Sequence, residues 1–227
     1  DSFLLGAFNS RKANQVIHRL FPTPLGEYSL GRELSKDECD ELFYGGEHIS
    51  NEARAMWSQN EGNLTSWQSN ILAQPKLSEL RKFIETSIDE YAKEAYNFRD
   101  NAELYLTQSW VNLTKPGGHH HNHTHQNSIV SGTMYIGGND DDIIEFYHPV
   151  TMGLLAASWH FPPKEYNEFN SGNWWMPARK GTLYLWPSHL IHGVPTVSGN
   201  KDRYSLSFNT FIRGEIGDHD ELTRIVL

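Results

Sequence analysis

Residues 204–212, Tyr-Ser-Leu-Ser-Phe-Asn-Thr-Phe-Ile, form one of five short runs after Asn101 that decide the fold. These runs are rich in the β-branched and aromatic residues that favour strands. Gly, Pro, Asn and Asp, which favour turns, separate them along the chain. The other four runs are Leu104–Leu113, Ile129–Ile136, Ile143–Tyr147 and Thr182–Trp186. The sequence therefore predicts a barrel or sandwich of strands over residues 101–227, with a long loop at 148–180.

The sequence of residues 1–100 predicts mainly helix and loop instead. Ser35-Lys-Asp-Glu38 has the form of a capping box, which begins a short helix towards Phe43. A longer amphipathic helix is predicted from Pro75, because apolar residues recur at spacings of three and four. They are Leu77, Leu80, Ile84, Ile88, Tyr91 and Ala95. We expect a single domain over residues 1–227, in which residues 1–100 give helical support to the β core at 101–227.

Composition narrows the choice of partners. Lys and Arg number 19 against 28 Asp and Glu, a formal net charge of −9, and this charge disfavours nucleic acid and anionic lipid. The apolar runs are shorter than the roughly 20 residues of a membrane span. The single cysteine, Cys39, favours a cytoplasmic protein. The partner predicted is a small molecule or a peptide, with no nucleic acid or membrane, and the oligomeric state stays open, a homodimer included.

The first candidate site is the histidine cluster at residues 119–125, His-His-His-Asn-His-Thr-His. Side chains alternate in an extended segment, so His121, His123 and His125 share one face and any neighbouring pair could bind one metal ion. Imidazole suits iron, copper, nickel and zinc alike. The cluster on its own is also compatible with a solvated loop.

A second stretch, Trp186-Pro-Ser-His-Leu-Ile-His192, supplies an imidazole from a distant part of the chain. Three imidazoles would occupy one face of an octahedral ion and leave three positions open. Arg203 follows eleven residues later, and its planar guanidinium matches a carboxylate in two-pronged fashion, with Ser205 on the same face. Such a metal site beside Arg203 and Ser205 suits a small dicarboxylate, which would chelate the metal with one end and bind the arginine and serine with the other.

Several motifs together resemble a family of 2-oxoglutarate and Fe(II)-dependent oxygenases from bacteria and phages, within the prolyl-hydroxylase-like superfamily. They are Ser109–Asn112, Lys115–Gly118, His123–Ser128, Ser131–Tyr135, Trp186–Ser188, His192–Val194 and Arg203–Asn209. The resemblance implies a mostly β fold, a double-stranded β-helix or jelly-roll, flanked by N-terminal α-helices. It also implies Fe(II), 2-oxoglutarate as cosubstrate, and O2.

The resemblance assigns roles to six residues. His123, His125 and His192 correspond to the catalytic iron ligands, Arg203 and Ser205 to the element that binds the distal carboxylate of 2-oxoglutarate, and Tyr135 is a further contact for that carboxylate. The wider superfamily has an acid where this chain has His125. Two alternatives therefore stay open: the pair is His121 with His123, or an acid from Asp140–Asp142 or Glu145 reaches the ion.

The function implied by the resemblance is hydroxylation of a C–H bond in a peptide, amino acid or small molecule. One alternative is a cupin-like three-histidine metalloenzyme that does not use 2-oxoglutarate. Another is a non-catalytic β-sandwich that binds a sugar or protein through its tryptophans. Trp110, Phe146, Trp186 and Phe208 are expected in the β core.

Overall fold

A computed structural model describes residues 17–44, 57–60, 63–66, 68–98, 101–148 and 163–227. Two α-helices, α1 (Lys36–Tyr44) and α2 (Ser78–Ala95), lie in the first half of the chain, and short 3-10 turns at Ile71–Ala73 and Pro75–Leu77 precede α2. The strands are β1 (Gly26–Ser29), β2 (Trp57–Asn60), β3 (Asn63–Ser66), β4 (Ala102–Thr114), β5 (His120–His123), β6 (Val130–Gly137), β7 (Ile143–Tyr147), β8 (Asn173–Pro177), β9 (Thr182–Pro187), β10 (His192–Val194), β11 (Arg203–Ile216) and β12 (Ile225–Val226).

The strands form two antiparallel sheets. The large sheet has the order β1-β9-β6-β11-β4-β3-β2, with β12 paired to β11, and the small sheet has the order β5-β10-β7-β8. From β4 onward the chain passes back and forth between the two sheets, with β7 and β8 as the one hairpin that stays within the small sheet. This alternation produces the double-stranded β-helix that the sequence predicted, and the fold class is confirmed.

Helix α2 covers one face of the large sheet. Its buried residues Leu80, Ile84 and Ile88 recur every four positions and join an apolar cluster with Leu206 and Phe208 of β11. Each such side chain contributes about 1.5–3 kcal/mol when it is removed from water. Because side chains alternate along a strand, Ser207 of β11, which lies between these two, faces the other way, into the space between the sheets.

The second face of the large sheet therefore points at the small sheet. Aromatic side chains fill part of this interior, with Tyr184 and Trp186 of β9 packed against Phe146 of β7. The remainder of the interior is lined by polar side chains of β4, β6 and β11 and is open at one end. The fold thus produces a half-polar interior at the place where the predicted site residues lie.

Several expectations need correction. Residues 1–100 were expected to be mainly helix and loop, and the three short strands β1, β2 and β3 within them, which belong to the large sheet, were not predicted. β8 lies within the predicted loop 148–180. These strands have only four or five residues each, and β1 and β3 pair with the longer strands β9 and β4. Such short runs give a weak local signal, so pairing rather than local sequence defines them. Phe146, Trp186 and Phe208 are buried as expected, whereas Trp110 is half-buried and lines the open cavity. No helix among the described residues is long and apolar enough to cross a membrane.

Candidate metal centre

The open end of the interior is a cavity of about 410 Å3, counting its mouth. The large sheet contributes one wall and the small sheet the other. Five of the six predicted site residues line the cavity: His123, His125, His192, Arg203 and Ser205.

A β-bulge positions the first histidines. His192 on β10 lies opposite His123, and Val194 lies opposite His120, so β5 has one residue more than β10 over this interval. A bulge re-aims side chains locally. Here it directs both His120 and His123 to the cavity, although they are three residues apart. Gly193 lies against the bulge, since a Cβ atom there would be 2.3 Å from the Asn122 side chain.

Three imidazoles meet at one point. The ligand nitrogens of His123, His125 and His192 all lie within 4.8 Å of one another, and the Nε2 atoms of His123 and His125 are 3.2 Å apart. Two neighbouring nitrogens on an octahedral ion, each about 2.1 Å from it, lie about 3 Å apart. The observed separation therefore fits one shared metal ion.

Each of these imidazoles donates its Nδ1–H to a protein oxygen. The bonds are His123 to the carbonyl of His121 (2.8 Å), His125 to Oδ1 of Asn209 (2.5 Å) and His192 to the carbonyl of Leu190 (3.0 Å). Because these oxygens accept, the proton is on Nδ1 and the Nε2 lone pair is left for a metal. Orientation and tautomer are thus set by the protein.

Electrostatics favour the neutral imidazoles that a metal requires. Burial lowers the pKa of His125 to about 4 and that of His192 well below its usual value, and it also lowers the pKa of His123. The mutual repulsion that protonated rings would experience acts in the same direction for all three. These lowered pKa values reduce the competition of protons with a metal for the lone pairs.

Arg203 and Tyr135 form the other end of the site. Arg203 is 2% exposed, and its guanidinium carbon lies 5.0 Å from the centre of the fully buried Tyr135 ring. Burial raises the pKa of Tyr135, and the guanidinium only partly offsets this rise, so the phenol keeps its proton. Arg203 Nε and Tyr135 Oη are both buried without a hydrogen-bond partner in the described ranges. Buried donors without acceptors are costly, and a bound acceptor would satisfy them.

Ser205 occupies the strand position between these groups and the metal end. It pairs with Tyr135 of β6 on one side and with Asn112 of β4 on the other, and it is buried. Its position on β11, two residues after Arg203, gives both side chains the same inward direction. The structure therefore brings Arg203, Ser205 and Tyr135 together.

The two alternative ligand sets are not assembled in the same way. His121 groups with His120 and His123 rather than with His192. Asp142 accepts a hydrogen bond from the backbone of Asn139, and Glu145 accepts one from Tyr147. In the described part of the chain, no acid belongs to a group of three side chains that could hold a metal.

Sequence reasoning missed two residues of the site. Asn209 holds His125 and also accepts a hydrogen bond from Ser131 at 2.9 Å, and His120 lines the cavity beside His123. Asn209 is an even number of residues from Arg203 on the same strand, so the strand period could have placed it on the inward face. His120 depends on the bulge, for which the sequence has no clear signal.

Comparison with known proteins gives a family for the central segment. Residues 108–209 match a family model described as "Putative 2OG-Fe(II) oxygenase", and the family resemblance predicted from the sequence is confirmed. All six predicted site residues lie inside this segment. No curated protein sequence matches the chain.

Solved structures share the fold at low identity. The epimerase SnoN from nogalamycin biosynthesis, described as non-heme and alpha ketoglutarate dependent, aligns with a TM-score of 0.54 and 12% identity over 85% of this chain and 80% of that one. HygX from Streptomyces hygroscopicus, with nickel and 2-oxoglutarate bound, aligns with a TM-score of 0.52 and 11% identity over 83% of this chain and 82% of that one. A Trichoplax adhaerens prolyl hydroxylase with a peptide fragment aligns with a TM-score of 0.50 and 13% identity over 82% of this chain and 83% of that one. At these identities the likeness concerns the fold alone.

Proposed function

We propose that this chain, whose residues 108–209 match the 2OG-Fe(II) oxygenase family, is a non-haem Fe(II)- and 2-oxoglutarate-dependent oxygenase. The ligands would be His123, His125 and His192. The observation that carries the proposal is the convergence of three imidazoles whose Nδ1–H groups are already bonded to oxygen and whose Nε2 lone pairs are left for a metal. Such orienting bonds are a regular feature of metal-binding histidines.

The residues present fit Fe(II). Imidazole is among the ligands that iron prefers, and three of them on one face leave three positions for other ligands. When bound, Fe(II) supplies the activation of O2, with oxidative decarboxylation of 2-oxoglutarate as the source of two electrons. Overall, R–H, O2 and 2-oxoglutarate would become R–OH, succinate and CO2.

The protein's own contribution is to hold the cosubstrate and exclude water. A dicarboxylate that reaches the metal at one end would place its far carboxylate at Arg203, with Ser205 beside it. Tyr135 Oη and Arg203 Nε would then obtain an acceptor, which the described residues do not offer them. Charge-assisted hydrogen bonds to a planar guanidinium are among the strongest in proteins, and burial strengthens them further.

The substrate class is part of the proposal. We expect hydroxylation of an unactivated C–H bond in a peptide, amino acid or small molecule. Among the similar folds, HygX has been solved with hygromycin B bound and the prolyl hydroxylase with a peptide. The net charge of −9 and the single Cys39 support a cytoplasmic enzyme that does not act on nucleic acid.

Succinate formation tests the proposal. The chain is purified without oxygen and supplied with Fe(II), 2-oxoglutarate and air, and succinate is measured with and without candidate peptides. We expect Fe(II)-dependent succinate, abolished by His192→Ala and unchanged by His189→Ala, which alters an exposed histidine three residues away. Binding of 2-oxoglutarate to the Ni(II) form is measured beside it. A metal-loaded chain that does not bind 2-oxoglutarate contradicts the proposal.

A second candidate is a cupin-like three-histidine enzyme without 2-oxoglutarate. The observation in its favour is the ligand set itself, since the triad within the described residues has three neutral imidazoles and no carboxylate. Binding separates the two candidates. A chain that binds Fe(II) through the triad but has no affinity for 2-oxoglutarate would favour the second one.

A further inference from the structure

We infer that His120, His121 and His123 form a second transition-metal position, which competes with the triad for His123. The three side chains offer nitrogens that all lie within 4.8 Å of one another. Their ring centroids are 5.1 Å apart for His120 and His121, 4.5 Å for His120 and His123, and 5.3 Å for His121 and His123. We call this group the outer position and His123, His125 and His192 the triad.

The bulge in β5 is what creates the outer position. In a regular strand His120 and His121 would point to opposite sides of the sheet. The extra residue between His120 and His123 breaks that alternation, and the three rings gather on one side of the strand end. The outer position is therefore a product of the same local distortion that assembles the triad.

The two positions differ in exposure at one ligand. All three residues of the outer position are half-buried, as are His123 and His125 of the triad, whereas His192 is 5% exposed. Three imidazoles and a water form a tetrahedral set that suits Zn2+, with nitrogens about 3.3 Å apart. The ligand nitrogens of the outer position lie within 4.8 Å of one another. Side-chain rotation of the half-buried His120 and His121 would bring them to the shorter spacing that a shared ion requires.

Sharing of His123 makes occupancy of the two positions exclusive. Its Nδ1 donates to the backbone carbonyl of His121, so Nε2 offers the one remaining lone pair. An ion at the outer position would take that lone pair and leave the triad with two imidazoles. The inference rests on the proposed ligand role of His123 and is independent of 2-oxoglutarate. Zn2+ and Cu2+ bind such sites more tightly than Fe2+, so they would hold the outer position in competition with iron.

Zinc binding to variants of the full chain tests the inference. The variant His125→Ala/His192→Ala leaves the outer position intact and removes two triad ligands. We expect it to bind one Zn2+ per chain in isothermal titration. Adding His120→Ala/His121→Ala to that variant should weaken binding at least 100-fold. Equal zinc affinity of the two variants would overturn the inference.

A second measurement uses the single variant His125→Ala, in case the double variant fails to fold. This change leaves the triad with two ligands and the outer position intact. Imidazole nitrogens shift strongly in 15N NMR when they bind a metal. Excess Zn2+ should move the resonances of His120 and His121 and leave that of the exposed His189 in place. Unmoved resonances of His120 and His121 would overturn the inference. A failure here leaves 2-oxoglutarate binding intact, whereas failure of the proposed function leaves the zinc result standing.

Discussion

Replacement of Arg203 by methionine separates cosubstrate binding from metal binding. Methionine keeps the length and apolar stem of the side chain but removes the guanidinium. The side chain is 2% exposed, so water cannot take over the lost hydrogen bonds at the far carboxylate. We expect Ni(II) affinity to stay the same, because Arg203 lies in neither group of metal-capable histidines.

The expected size of the effect follows from the burial of the pair. Truncation of one partner of a buried, hydrogen-bonded charge pair costs about 2–5 kcal/mol. A middle value of about 3 kcal/mol corresponds to a rise of about 150-fold in the Kd for 2-oxoglutarate, at about 1.4 kcal/mol per decade. Arg203→Lys retains the charge but not the two-pronged geometry, so its loss should lie between wild type and Arg203→Met.

Isothermal titration of 2-oxoglutarate into the Ni(II)-loaded chain without oxygen is the assay. Arg213→Met is the matched control, since Arg213 lies on the same strand but forms an exposed ion pair with Glu103, 2.6 Å long. We expect this control to bind 2-oxoglutarate as wild type does. A change of less than about threefold for Arg203→Met would refute the assignment of this guanidinium to the cosubstrate.

Three further predictions concern the fold and the ligands. Because burial lowers the pKa of His125 to about 4 while an unfolded imidazole titrates near 6.5, the unfolded state binds more protons between these values. The metal-free chain should therefore lose thermal stability as the pH falls from about 6.5 towards 4, and His125→Gln should flatten that slope; equal slopes would contradict this. Asn209→Leu removes the acceptor of His125 and should weaken Co(II) binding about 10- to 100-fold in equilibrium dialysis, and unchanged affinity would count against an orienting role. Gly132→Ala places a Cβ 2.3 Å from the Phe208 ring and should cost about 1–3 kcal/mol in urea unfolding, whereas Gly137→Ala on the same strand, with its nearest atom at 3.9 Å, should cost less than about 0.5 kcal/mol; similar losses would argue against tight packing.

Local sequence patterns were sufficient to predict the long helix and several of the strands. The four-residue spacing of Leu80, Ile84 and Ile88 predicted α2, and the run Ile143–Tyr147 predicted β7 with its bounds. Both patterns reflect one face buried against a partner, which recurs within the element itself. The strands β1, β2, β3 and β8 were not predicted. β1, β3 and β8 pair with strands distant in the sequence, and β2 pairs only with the equally short β3.

The same division applies to the site. Residue type alone predicted binding of a metal and of a carboxylate. The residues that carried this prediction were the histidines near position 123 and at 192 and the arginine at 203, since few other side chains bind transition metals or a carboxylate in this way. Their roles as ligands and carboxylate partners stay predictions. The sequence alone left His121, Asp140–Asp142 and Glu145 as competing ligands. In the structure Asp142 and Glu145 accept hydrogen bonds from other groups, and His121 groups with His120 and His123 rather than with His192. The choice of ligands stays a prediction.

The sequence by itself determined which side chains could bind a metal or a carboxylate. It also determined the spacing of apolar residues in the long helix and the strands, because both are local properties of the chain. The tertiary structure alone decided the bulge in β5, the acceptor that Asn209 offers to His125 and the central place of His123 between two groups of imidazoles. The physical reason is that each of these depends on pairing between segments about 70 to 85 residues apart, and such contacts arise from packing and hydrogen bonding that no short window of sequence contains.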